Sequence, residues 1–216
     1  MLYDCRKLVE RDKGIAAAIE AVSRGDLVVL PTDTVYGIGA DAFKSWAVDY
    51  LQRSKGRGRD MAPPVLVGSR QTLDGLVYGL PTAARDLAEA FWPGGLTIVV
   101  EHAPSLDWDL GDTGGTVAVR MPLHPVALEV LRTTGPMAVS SANKTCQPPA
   151  ATAEEARDQF GYSVSVYLEA GPSVDLVPSS IVDVTGDVPR LLRAGAVPIE
   201  KLRDVVPDLL GPDDEG

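Results

Sequence analysis

Thr32, Thr34 and Tyr36 put three hydroxyl groups into five residues, with Asp33 between them and Gly37 and Gly39 behind. A little further on, Arg53, Lys55, Arg57 and Arg59 occupy alternate positions, interrupted by Gly56 and Gly58 and offset only by Asp60. In a helix each of those glycines would cost about 1 kcal/mol relative to alanine, so the stretch reads as a loop in which backbone and cations converge. The whole chain carries 30 acidic against 20 basic residues, a net charge of −10. A concentrated cationic loop in so acidic a protein suits an anionic small-molecule ligand. Two more polar clusters stand beside apolar runs: Ser140, Ser141 and Asn143, and the pair Ser179 and Ser180. Arg120 lies among apolar neighbours in TVAVRMP, where it either reaches outward or faces a pocket. Other chemistries leave no trace: GxxxxGKS and GxxxxGKT, GxGxxG, HExxH and GxSxG are all absent, and His102 and His124 have no metal-binding spacing. Strand-end hydroxyls with scattered arginines can bind and orient a polyanion, and offer little for nucleophilic or proton-transfer catalysis.

The elements that must position these groups follow from periodicity. Leu27–Leu30 reads as a strand buried on both faces and stopped by Pro31, which cannot donate to a ladder. The hydroxyl loop at its end is where open α/β sheets usually bind small molecules. Residues 10–24 put Ile15, Ile19 and Val22 on one helical face, with Gly25 placed to end it. Residues 41–53 predict a helix between the hydroxyl loop and the basic loop, with Phe43, Trp46, Ala47, Tyr50 and Leu51 expected in the core. Further strands are expected over 65–67, 96–101, 116–122, 137–139, 164–169, 180–184 and 189–193. Helices are expected over 69–78 behind a Ser69 cap, 81–91, 125–132, 152–161 behind the Thr152/Glu155 capping box, and 199–210 with a break at Pro207. This mixture predicts an α/β domain with a twisted sheet whose strand order periodicity leaves open. One domain over residues 1–210 is expected, with the acidic tail 211–216 disordered.

Composition narrows the setting. With 45% hydrophobic and 23% charged residues the chain is that of a folded globular protein. No apolar stretch approaches the ~20 residues that cross a bilayer, and the N-terminus has no hydrophobic signal core, so a cytoplasmic protein is expected. Cys5 and Cys146 are then expected as free thiols. Net acidity argues against tight, sequence-independent nucleic-acid binding.

PTDTVYGIGADA followed by Lys55-x-Arg57 closely resembles the YrdC-like threonylcarbamoyl-AMP synthases, and TVAVRMP, SSAN, SSIVDVT and RLLRAGA extend the resemblance in order across residues 14–197. It implies a twisted mixed sheet flanked by helices and bearing a concave ligand cavity. It also implies the activity: L-threonine, bicarbonate or carbon dioxide, and ATP give L-threonylcarbamoyl-AMP and pyrophosphate. That product is the activated precursor of N6-threonylcarbamoyladenosine at position 37 of tRNA, and would pass to a downstream threonylcarbamoyl transferase. Magnesium would enter on the ATP phosphates, with no metal site of the protein's own. By resemblance Lys55 and Arg57 are catalytic, beside the phosphates and the carbamate. Thr34, with Thr32 and Tyr36 as neighbours, Arg120 and Ser180 are threonine contacts. Thr116, Asn143, Arg193 and either Ser140 or Ser141 are nucleotide contacts. The chain departs from the family at GRDMAPPVLVG, which lacks the usual asparagine and histidine, and at KTCQPPA, which lacks the usual glycine after SAN.

Two other readings stay open on the residues alone. One is an RNA-binding module using the same cationic concavity, disfavoured by the acidity and by the lack of interleaved aromatics around Lys55. The other is a carbamoyl-transfer relative acting through another acyl-adenylate, disfavoured by the threonine-side matches at Arg120 and Ser180.

Overall fold

The computed structural model describes all residues except Asp175, Asp213, Glu215 and Gly216. Ten strands form one mixed sheet: β1 Leu2–Asp4, β2 Val28–Leu30, β3 Gly37–Asp41, β4 Val65–Leu66, β5 Leu96–Glu101, β6 Thr116–Arg120, β7 Met137–Ser141, β8 Val166–Glu169, β9 Ser180–Asp183 and β10 Arg190–Arg193. Their order is β1-β8-β2-β3-β7-β4-β6-β5-β9-β10. The pairs β1·β8, β2·β8, β4·β6 and β5·β9 are parallel, and the rest antiparallel. The helices are α1 Leu8–Arg24, α2 Ser45–Lys55, α3 Gln71–Leu76, α4 Thr82–Phe91, α5 Pro125–Thr134, α6 Ala153–Phe160 and α7 Ile199–Val205.

Strand alternation sorts side chains onto two faces. On one, Ile38, Val65, Leu96, Ile98, Val117, Val119 and Val182 join residues of α2, α3, α4, α6 and α7 in the larger core. On the other, α1 and α5 pack over Val28, Leu30, Met137, Val139, Val166 and Leu168. Those two helices stop short of β6, β5 and β9. The half-sheet they leave bare is the floor of a cavity.

β2 is buried throughout, as its apolar run predicts, and ends at Pro31. The glycines after the hydroxyl turn are a strand, β3, where a loop was expected. They are there for close approach: a Cβ on Gly37 or Gly39 would stand 2.6 Å from a methyl of Val139 on β7. β1 is also an unforeseen strand, three residues added in parallel to the β8 edge.

Helix α2 corrects two expectations. Phe43, Trp46 and Tyr50 are exposed rather than core, while Ala47 and Leu51 are buried as expected, with Val48, Gln52 and Lys55 beside them. Both stripes have helical spacing, and the slimmer one meets the sheet at glycine-bearing β3. The helix also runs on through Lys55, so half of the basic stretch is helix. Gly56 then closes it with φ +72, its N–H and that of Arg57 bonding Arg53 O and Gln52 O. Ser69 caps nothing: Arg70 stands at the start of α3 and Ser69 Oγ meets Thr72 Oγ1. Thr152 caps α6 as expected, its hydroxyl accepting from Glu155 N. In the tail expected to be disordered, Asp214 is held by Arg203 at 2.7 Å, while residues 213, 215 and 216 lie outside the described residues. Cys5 and Cys146 are free thiols. Among the described residues no helix is long and apolar enough to cross a membrane.

Candidate functional site

The cavity on the bare half-sheet has a volume of about 550 Å³. Leu66 of β4, Ala118 and Arg120 of β6, Thr97 and Val99 of β5, and Ile181 of β9 form its floor. Its walls are the Thr32–Gly37 turn, Arg57 beyond α2, Ser140–Asn143 leaving β7, and Pro178, Ser179 and Arg193. Ala62, Pro64 and Pro149, from the two segments that depart from the family pattern, complete it.

One end is built around Arg120. Its side chain is buried, donating from Nε to Gly94 O at 2.9 Å, from Nη1 to Thr34 Oγ1 at 2.8 Å and from Nη2 to Asp33 Oδ1 at 2.7 Å. Asp33 Oδ1 also accepts from Leu123 N. Two of the five guanidinium N–H groups are left over. Thr32 gives its hydroxyl hydrogen to Val35 O at 2.6 Å and accepts from Thr34 N. Thr34 Oγ1 therefore accepts from Arg120 and keeps one hydrogen to donate, to Thr32 Oγ1 at 3.1 Å or to a ligand. Asp33 balances a charge that burial makes costly. Asp33→Ala should lower stability by about 3 kcal/mol in urea unfolding, because it strands a buried guanidinium.

The opposite end is cationic. Arg57 Nη1 donates to Ser140 Oγ at 3.0 Å, while its buried Nε has no partner. Asn143 gives both Nδ2 hydrogens to its own turn, to Lys144 O and Gln147 O, and its buried Oδ1 has no partner. A buried polar atom left unbonded costs about 1–3 kcal/mol, so one donor and one acceptor stand ready for a ligand. Of the four cations in the basic stretch only Arg57 reaches the cavity. Arg53 pairs with Asp49 on the outer face of α2, and Arg59 with Asp109 and Asp112. Lys55 is 1% exposed, and its Nζ donates to the carbonyls of Ser141 and Asn143, behind the cavity wall. Burial, then the neighbouring Arg57, brings its pKa down to about 7. The structure thus makes Lys55 the brace of the Ser141–Asn143 turn, one layer behind where it was expected.

Three further expected contacts are placed elsewhere. Ser180 is fully buried: β9 points Ser180 and Val182 into the core and Ile181 at the cavity, and Ser180 Oγ is occupied by both polar atoms of Val197. Ser179 takes the cavity position, at 2.8 Å from Thr97 Oγ1 and held by Arg193 Nη2 at 3.0 Å. Tyr36 lines the cavity, but its hydroxyl points away, donating to Gly171 O and accepting from Ala170 N. Thr116 lies in an adjoining hollow of about 290 Å³ that shares Ala62, Val99 and Ala118 with the main one. The sequence reading missed Thr97, a threonine between Leu96 and Ile98 on the alternate face of β5, and Asp33 as the partner of Arg120. Period-2 alternation in LTIVVE was the signal for the first.

Comparison with known proteins supplies the remaining findings. The Sua5/YciO/YrdC family model, described as "Telomere recombination", matches residues 20–195. A protein of Mycobacterium tuberculosis whose name carries the words threonylcarbamoyl-AMP synthase is 58% identical over 204 residues, 94% of each chain. The "Threonylcarbamoyl-AMP synthase" of Pyrococcus abyssi is 34% identical over 97% of this chain, which spans 62% of that longer protein. The crystal structure of P. abyssi Sua5 complexed with L-threonine aligns over 98% of this chain with a TM-score of 0.90 and 33% identity, again over 62% of the longer protein. Escherichia coli YciO, at 21% identity and a TM-score of 0.80, shares the fold.

Proposed function

The chain belongs to the Sua5/YciO/YrdC family, and from that premise we propose that it makes L-threonylcarbamoyl-AMP from L-threonine, bicarbonate or carbon dioxide, and ATP, releasing pyrophosphate. The observation that carries the reading is the division of one cavity into two ends. A buried guanidinium with two free N–H groups beside a hydroxyl donor suits an amino acid's carboxylate and side chain. A partnerless arginine Nε and a partnerless asparagine Oδ1 suit a phosphate and a base amine.

In this reaction threonine's amine adds to carbon dioxide and loses a proton, giving a carbamate. A carbamate oxygen then attacks the α-phosphorus as the bond to the β-phosphate oxygen breaks, and pyrophosphate leaves with that electron pair. Such a step needs positioning and charge neutralisation more than covalent help. Arg120 and Thr34 would hold threonine on the floor. Arg57 would face the α-phosphate oxygens, with Ser140 fixing its guanidinium. Asn143 and Arg193 would hold the nucleotide, and Ser141 would contribute its backbone position. Thr116 would meet the part of ATP that enters the adjoining hollow. The groups facing the phosphates are cations and hydroxyls, so magnesium would be carried by the phosphates and add to their neutralisation.

The setting we propose is the cytoplasm, with the product passed to a transferase that modifies tRNA. Such a handover asks for no tight tRNA binding by this chain, whose net charge is −10. The test is pyrophosphate release from pure protein with ATP, magnesium and bicarbonate, and each of several amino acids. Release should require threonine and bicarbonate together. Serine should serve less well, by about tenfold, the worth of one methyl in an apolar pocket. Equal release without threonine would sink the assignment. Tight RNA binding that ATP does not displace would favour an RNA-binding module instead.

A further inference from the structure

We propose that Glu169 is a positioning residue of this site, acting through the Ala170–Gly171 turn that Tyr36 also grips to hold two of the cavity walls in register. Glu169 ends β8, is 2% exposed, and lies outside the cavity lining. Its Oε2 accepts from Ala153 N, the first residue of α6, at 2.7 Å. Its Oε1 accepts from Gly171 N and lies 3.3 Å from the Tyr36 hydroxyl. That hydroxyl donates to Gly171 O at 2.7 Å and accepts from Ala170 N at 2.9 Å. Every polar atom of the cluster is therefore occupied by main chain or by the other side chain.

What the cluster joins gives it a role beyond stability. Tyr36 closes the turn that carries Thr32 and Thr34. Ala153, which Glu169 holds, opens α6 four residues after Pro149 on another wall. Ser173 N donates to Ala151 O, a second tie between the residues just after Gly171 and the approach to α6. With Tyr36 and Glu169 in place, the turn that carries Thr34 is fixed against the approach to α6 and the Pro149 wall. Without them the turn keeps its strands but loses its tie to the other wall. Burial, with Glu154 adding to it, raises the pKa of Glu169.

The inference rests on the proposed reaction, and its test separates the two. L-Threonine binding is measured by calorimetry, and threonine and ATP dependence by pyrophosphate release, in wild type, Tyr36→Phe and Glu169→Gln, each with a melting curve. Both variants should raise KM for threonine about tenfold, as loosened support of a binding group does, with KM for ATP and kcat within about threefold. Glu169→Gln keeps the volume but loses an acceptor. Tyr36→Phe, which leaves the carboxylate in place, keeps the test decisive if the Gln variant fails to fold. A lowered melting temperature with threonine KM and affinity unchanged in Tyr36→Phe would reduce the cluster to a structural role and overturn the inference. Wild type that neither binds threonine nor releases pyrophosphate with it would overturn the reaction, and this inference with it.

Discussion

Arg57→Ala should lose on the order of 100- to 1000-fold in threonine-dependent pyrophosphate release, the loss expected when one preorganised donor to developing charge is removed. Two facts single it out. Its Nη1 is already fixed on Ser140 Oγ, and its Nε is buried without a partner at the cavity wall. The side chain is only half-buried and follows the Gly56 cap, so the variant should fold with a stability change of about 1 kcal/mol or less. Arg59→Ala is the control. Arg59 stands in the same run, but its guanidinium is occupied by Asp109 and Asp112 at the surface. It should keep near-normal rates. If Arg57→Ala also kept them, the phosphate end of the cavity would have been assigned to the wrong wall.

Lys55→Ala should act first on stability, lowering it by about 3 kcal/mol, because it strands two buried carbonyls and opens a void. A surface lysine would change it by about 0.5 kcal/mol at most. The pH dependence follows from the same burial. The folded-state pKa is down at about 7 against an ordinary 10.5. Between those values the unfolded chain holds the proton and the folded chain has released it, so stability rises with pH. Below about 7 both states carry the charge and the folded state bears its full burial cost; above 10.5 neither does. Urea unfolding of wild type at successive pH values across this window should show that rise. Lys55→Met, which keeps the length without the amine, should flatten it. A wild-type curve with the same slope as the Met variant would mean that Lys55 stays charged in the fold. Activity should fall in both variants, because the turn that carries Asn143 loses its brace.

How far the sequence spoke depended on which signal was asked. Apolar runs located β2, β5, β6 and β7 to within a residue or two, because packing a core on one face or both leaves little choice of residue at those positions. β3 stayed hidden because Gly37 and Gly39 read as a turn. Their reason is Val139, a hundred residues away, and no local pattern carries it. In α2 two stripes had equal periodicity, and only contact with β3 decided that Trp46 faces outward and Lys55 inward. At the site, the residue classes were legible and their aim was not. A one-residue step along a strand exchanges the faces, so Ser180 and Ser179 trade the core and the cavity. Tyr36 and Lys55 point behind the wall instead of through it, and both directions depend on acceptors supplied by distant segments.

The half-sheet left bare by α1 and α5 has a consequence for how this fold can change. Along β5, β6 and β9 residues that pack the interior alternate with residues that face the cavity, Leu96 with Thr97, Val117 with Ala118 and Ser180 with Ile181. Their side chains project from opposite faces of the sheet, so a change in one set leaves the packing of the other largely in place. Mutational drift in Thr97, Val99, Ala118 and Ile181 can reshape what the protein accepts while the alternate positions keep the scaffold intact. Substrate preference and foldedness are thus written on opposite sides of the same strands, and a lineage can revise one without erasing the other.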